Sequence, residues 1–281
     1  MYLLMSLVSV KNTSKETNII HVLVSGIDTG FVGSLICEAA KLAERSVLLG
    51  SAYNTSVSAT LINSSGGVCV MPFPFDMYSQ KQINFIRSAI ESNEVATESG
   101  VMQLNSSVWA QGTNLKKTSL FNVSNVFGSI CRGDYGDYED EMIDFMLENT
   151  IKNSISSQIN NAYQIKLYLE LVIGFNVYLN DKAKEILKGY FVTVRMVNPK
   201  ILGAGGMITL MSVCASSAKL CRRDVASVDD AIFAVWLHAA STPGMQSVPN
   251  EYIEPPRDTK KFHEMMIEFK MWLENFTGLS F

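Results

Sequence analysis

A basic excess is missing from this sequence. The 281 residues carry 23 Lys and Arg against 27 Asp and Glu, a formal net charge of -4 with a pI near 5.5. A protein that coats nucleic acid unaided draws most of its affinity from neutralising phosphates, so that class is disfavoured. The basic pairs Lys116-Lys117, Arg222-Arg223 and Lys260-Lys261 are too short to form a stripe and read as solvated surface. Paired cysteine spacing is missing as well. Cys37, Cys69, Cys131, Cys214 and Cys221 include no C-x-x-C, and His21, His238 and His263 stand far from them in sequence, which argues against a zinc site. An odd cysteine count in a long chain fits reduced, buried thiols of an intracellular protein. No apolar run reaches the ~20 residues of a membrane span. The stretch Met1–Val10 lacks the basic leader and small-residue cleavage pattern of a signal peptide. Triplets such as Asn54-Thr55-Ser56 and Asn105-Ser106-Ser107 are accordingly read as chance matches to a glycosylation signal.

What is present is core material. Hydrophobic residues make up 47% and charged residues 18%, too apolar for a disordered chain and ample for a packed interior. Ile19–Ser25 is a near-continuous β-branched run ending at Gly26, the pattern of a strand buried on both faces of a parallel sheet. A helix is predicted over Ser34–Glu44, so the order is strand, glycine turn, helix. Arg45–Leu49 and Ser58–Ile62 read as strands, and Val68–Met71 as a second buried strand ended by Pro72 and Pro74. A helix over Ser79–Glu91, a hairpin over Val95–Gln103 and strands over Ser107–Ala110 and Val123–Ile130 follow. Beyond Arg132 the pattern turns helical: Glu141–Asn149, Ala162–Ile173, Lys182–Met196, Met207–Leu220, Val228–Ala240 and, after a polar break, an amphipathic helix over Thr259–Asn275. The expected organisation is an α/β core over residues 1–140, a helical domain over 141–245, and a linker with a last helix over 246–281.

Strand, glycine turn and helix is also the geometry that binds nucleotide phosphates on backbone N–H groups. The turn reads Gly26-Ile27-Asp28-Thr29-Gly30-Phe31-Val32-Gly33-Ser34, and Gly66-Gly67-Val68-Cys69-Val70-Met71-Pro72-Phe73-Pro74-Phe75-Asp76-Met77 comes about forty residues later. With Ala39–Val47 linking them, these segments resemble the AAA+ core of the minichromosome maintenance (MCM) helicase family. The resemblance is closer to a divergent meiotic branch of that family. It extends through Leu3–Val8, Ser119–Phe121, Ala218–Val225 and the tail from Asn250. It implies a degenerate P-loop α/β core with a parallel sheet, followed by an all-α lid. MCM-like proteins usually carry an oligonucleotide-binding domain ahead of this core, whereas this sequence begins almost at the core.

The resemblance also implies where ATP chemistry would sit. The phosphate-binding lysine and the magnesium hydroxyl fall on Val32 and Gly33; the magnesium carboxylate and the water-activating glutamate fall on Pro72 and Phe73. The second-sensor arginine falls near Gly205, the first-sensor asparagine on Asn114 with a gap, and the arginine finger has no match around Ser119–Ser124. A charge-assisted hydrogen bond to a phosphate is worth about 1.5–3 kcal/mol, and losses at several separate steps of one reaction leave little of it. Gly26, Gly30, Val32 and Gly33 therefore read as a vestigial phosphate loop, and Pro72 and Phe73 as a vestigial metal strand, with no catalytic residue, no cofactor and no metal. Asp28 reads as a turn residue and Asp134–Glu141 as an acidic helix start rather than a metal cluster. Gly203-Ala204-Gly205-Gly206 follows no predicted strand and is read as a connection. The stripe Phe262, Met266, Phe269 and Leu273 is either core or a docking face.

Three functions compete. The preferred one is a non-enzymatic, nuclear, MCM-like interaction subunit in meiotic homologous recombination and double-strand break repair. Its partners would be MCM-like proteins or recombination factors, its DNA contact would come through the complex, and no membrane is involved. The second is a diverged ATP-dependent MCM-type helicase subunit or ATP-binding protein. The third is a nucleic-acid-binding module, against which the acidic charge counts.

Overall fold

In a computed structural model the predicted strand at Ile19–Ser25 is β1 (His21–Ser25), with every residue buried. The structure describes residues 1–11, 17–26, 28–112, 126–132, 155–199, 202–241, 248–253, 256 and 258–281. The expected helix Glu141–Asn149, the acidic run Asp134–Glu141, Lys116-Lys117, Asn114 and Ser119–Ser124 lie outside them. β1 belongs to an all-parallel, five-stranded sheet with β2 (Ser46–Leu48), β3 (Val68–Pro74), β6 (Ser107–Gly112) and β7 (Gly128–Arg132), in the order β2-β3-β6-β1-β7. The predicted hairpin, β4 (Glu94–Thr97) with β5 (Gly100–Gln103), stands outside this sheet. The chain is thus α/β around a parallel sheet.

Alternating side chains divide the interior in two. Val22, Val24, Val68, Val70 and Trp109 face one core; Leu23, Cys69, Met71, Val108 and Ala110 face the other. The second face is covered by α3 (Val57–Asn63) and α4 (Gln80–Ser92), through Val57, Leu61, Ile86 and Ala89. The first takes α1 (Tyr2–Ser9) and α2 (Thr29–Ala40), through Met5, Val8, Val32 and Ile36. Two expectations fail here. Ser58–Ile62 is not a strand but the body of α3: Ser56 Oγ accepts from the Ala59 N–H at 3.3 Å, and Val57, Thr60 and Leu61 share one buried face at helical spacing. Nor do the prolines end β3 at Met71. β2 stops at Leu48, opposite Val70, so the missing N–H of Pro72 removes no ladder bond on that side, and the register to β6 shifts between Val70 and Pro74.

The second half supplies α5 (Ile155–Ile173), α6 (Asp181–Val197), α7 (Ala204–Leu220), α8 (Val228–Ser241) and α9 (Thr259–Thr277). It is not wholly helical, because β8 (Tyr178–Leu179) pairs in parallel with β9 (Val225–Ala226). The first core runs without a break from α1 and α2 into α6, α7 and α8, through Leu187, Tyr190, Val213 and Val235. The stripe on α9 packs within the chain: Phe262 meets Trp236 edge-on at 5.2 Å, Phe269 meets Tyr252 at 5.5 Å, and Leu273 is fully buried. Arg223, expected on the solvated surface, keeps a side chain that is 40% exposed and also grips the buried carboxylate of Asp230.

Two histidines are locked inside. His238 Nδ1 shares a hydrogen bond of 2.9 Å with Tyr190 Oη, and His21 Nδ1 accepts from the Val108 N–H at 3.1 Å. Burial pushes both imidazoles down to about 4. The unfolded chain then binds protons below its ordinary histidine value near 6.5 while the native state does not, so stability present above that pH is lost as the pH falls toward 4. We expect a melting temperature flat from pH 8 to 7 and falling between 6.5 and 4, as the unfolding free energy drops by on the order of 3 kcal/mol per histidine. Differential scanning fluorimetry against pH measures this, and His238→Phe should flatten part of the slope.

Candidate functional site

The glycine turn leaves the C-terminal end of β1, where open parallel sheets bind their ligands. Gly26 N–H donates to the Gly112 carbonyl at 3.2 Å, tying the turn to the end of β6. α2 begins at Thr29, ahead of the predicted start at Ser34, so only Gly26, Ile27 and Asp28 connect it to β1. The reason is Asp28. Its Oδ1 accepts from the Phe31 N–H at 2.9 Å and its carbonyl accepts from the Val32 N–H at 3.0 Å, making it the helix N-cap rather than a simple turn residue. A carboxylate complements the positive end of the helix macrodipole. A bound phosphate would use the same donors and the same field.

Val32 and Gly33 consequently lie within the helix, not at its mouth. Val32 is 1% exposed and packs in the core with Ile36. A Cβ on Gly33 would stand 2.7 Å from the Pro72 carbonyl oxygen and 2.8 Å from Gln111 Nε2. Glycine at 33 is what lets α2 cross the ends of β3 and β6 at contact distance. Gly30 is exposed, and its carbonyl accepts from Ser34 Oγ at 2.9 Å.

At the ends of the neighbouring strands, the buried Gln111 amide donates to the Pro72 carbonyl, while its Oε1 has no partner among the described residues. Sequence reasoning passed over Gln111; the available signal was a long polar side chain closing an apolar strand. Phe73, half-exposed, stands 6.5 Å from the Tyr78 ring, and Tyr78 Oη donates to the Leu49 carbonyl at 3.1 Å. Gly26, Asp28, Val32, Gly33, Pro72 and Gln111 are therefore brought together. Gly205 is not. It sits in the first turn of α7, on a cleft shared with His21 and Phe127, at the opposite end of the sheet.

Among the side chains described at the turn are a carboxylate, a primary amide and hydrocarbon, beside a backbone carbonyl, and these groups offer a phosphate no positive charge. Among the described residues no cluster of three or more His, Cys, Asp or Glu side chains could hold a metal ion, and no helix is long and apolar enough to cross a membrane. No protein-family model matches the chain, and no curated protein matches it either.

Proposed function

We propose that this chain is a catalytically silent, AAA+-like subunit of the MCM type that acts by protein interaction. The observation that carries the silent part is the Asp28-capped, shortened turn. Its helix N-terminus already holds an anion, and the two side chains that should meet phosphate and magnesium are replaced by a buried valine and a glycine with no room for a Cβ. The sheet order supports the AAA+ part. The strand leading to the glycine turn and the strand meant for the metal carboxylate are separated by β6, the position a first-sensor strand takes in that plan. Nuclear action in meiotic homologous recombination and double-strand break repair, beside MCM-like proteins or recombination factors that make the DNA contact, rests on the resemblance in segment order and on the lack of a basic excess.

The test has two parts. A ligand at a hundred times its Kd stabilises the native state by about 2.7 kcal/mol, which moves the melting temperature of a protein this size by several degrees. With 1 mM Mg-ATP we expect no shift and no phosphate release; a clear rise would overturn the silent reading. Affinity purification from germ cells, followed by identification of what comes along, should return an MCM-like protein. Recovery of recombination-unrelated partners alone would remove the meiotic reading.

A further inference from the structure

α5 carries only two charged residues, Lys166 and Glu170, in a length of 19. Its inner side is occupied. Leu169 and Val172 are buried in the first core, and Tyr168 Oη donates to the Leu220 carbonyl at the end of α7. Its outer side is apolar as well: Tyr163, Ile165, Leu167, Tyr168 and Leu171 are 39–62% exposed. A surface helix needs one apolar face, and a helix that is apolar on nearly all sides belongs in an interior. Tyr163, Leu167 and Leu171 recur at every fourth position and so form one stripe. Ile165 and Tyr168 widen it toward an apolar groove whose far wall holds Met1, Leu4 and Leu42.

Two observations say what covers this face. The first is area. The five side chains expose on the order of 500 Å², near the top of what a monomer leaves open in one patch. With the groove beside them they approach the roughly 800 Å² that each partner buries in a stable pair. The second is charge. Lys166 and Glu170 stand one turn apart on the same flank of the stripe, and among the described residues neither has an ion-pair partner. Lys166 also acts on the Glu44 carboxylate, but Glu44 is already held by Lys11 at 2.7 Å. When two copies of one helix pack antiparallel, each flank meets its own counterpart reversed, so lysine falls beside glutamate at both ends. A parallel pair would press both charges against the apolar side formed by Tyr168 and Ile165.

We infer that this chain forms a two-fold symmetric homodimer through antiparallel copies of α5. The axis passes near Leu167, with Tyr163 beside the second copy's Leu171 and Lys166 beside the second copy's Glu170. The inference rests neither on the reading of the glycine turn nor on the proposed partners, so each can fail alone.

Sedimentation velocity on the full chain between about 1 and 100 µM should show a reversible monomer–dimer equilibrium. Leu167→Glu places two carboxylates at the axis and should raise the dimer Kd at least about tenfold. Leu167 is half-exposed, so the circular dichroism spectrum and the urea midpoint at the lowest concentration should stay those of the parent. Glu170→Lys sets like charges across both ends of the pair and should weaken it about fivefold; adding Lys166→Glu should restore it. A chain still monomeric at the highest concentration would overturn the dimer. If Leu167→Glu then lowers the melting temperature by several degrees, the chain's own residues cover the stripe; if it does not, the face is left to a different protein. A dimer that survives Leu167→Glu uses another surface. A single charge reversal without effect, or one that the second reversal fails to restore, overturns the antiparallel arrangement.

Discussion

Writing a lysine and a threonine into the glycine turn, as Val32→Lys with Gly33→Thr, is expected to unfold this protein before it binds ATP. Val32 is 1% exposed among Ile36, Val22 and Val70, so a lysine there must either lose its charge or drag its ammonium out through α2. At position 33, a Cβ alone would overlap both the Pro72 carbonyl oxygen at 2.7 Å and Gln111 Nε2 at 2.8 Å, two groups already hydrogen-bonded to each other. Overpacking of this kind is worth about 1–3 kcal/mol, and an unpaired buried charge several more. A total on the order of 5 kcal/mol approaches the whole stability of an ordinary domain. Urea denaturation of the double variant should show a collapsed midpoint, with no rescue by Mg-ATP. A variant that melts like the parent and is stabilised by Mg-ATP would mean that the first turn of α2 opens into a true phosphate loop, and the assignment of Asp28 as a fixed cap would fail.

The second large effect is expected at Asp230, far from the turn. Its side chain is 2% exposed and saturated: Arg223 donates to both oxygens at 2.6 and 2.7 Å, the Ser227 N–H and hydroxyl to Oδ2 at 2.8 and 3.0 Å, and Ser217 Oγ to Oδ1 at 2.8 Å. The carboxylate reaches back to the backbone ahead of α8 as a capping box does, and it also ties α7 to α8. Asp230→Ala strips those donors of their acceptor, while the 40% exposed Arg223 can turn its charge to water, for a loss of about 1–3 kcal/mol. Glu38→Ala, which breaks an ion pair with Lys41 whose partners are both 68% exposed, should change stability by less than about 1 kcal/mol. Chemical denaturation of the two variants side by side separates these outcomes. Similar losses would mean that the buried network adds nothing beyond a surface pair.

Which parts of the architecture could be read beforehand follows from how each segment is buried. Ile19–Ser25 and Val68–Met71 announce themselves because a strand covered on both faces needs no polar alternation. α6, α7, α8 and α9 show helical spacing plainly and lie within three residues of their expected bounds, whereas α5 begins at Ile155, seven residues ahead of the expected Ala162. α3 misleads because Thr60, Leu61 and Ile62 favour a strand by type, while the deciding information is the serine that caps the helix and the face it buries. The start of α2 misleads for a related reason. Gly30 and Gly33 suggest an irregular loop, yet Asp28 caps a helix already running at Thr29, and the second glycine is required by a contact with β3 that only the tertiary structure supplies. That Val32, Gly33, Pro72 and Phe73 carry no charge is plain from the sequence. The sealing of Gly33 against Pro72 and Gln111 is not, because it joins residues from three separated segments.

Ser6, in α1, makes a final point about timing. Its hydroxyl donates to the Ile20 carbonyl at 2.8 Å, shares a 2.7 Å bond with Ser107 and accepts the Trp109 indole N–H at 2.7 Å, while Lys219, 211 positions further on, donates to the Val8 carbonyl at 3.3 Å. α1 leaves the ribosome about 200 residues before α7, yet its far side is finished only when α7 has been synthesised. Closure over such sequence distances is slow, and until it happens the apolar flank of the sheet stays open to other chains. Nascent copies should therefore lean on chaperones in the interval between the synthesis of α1 and that of α7.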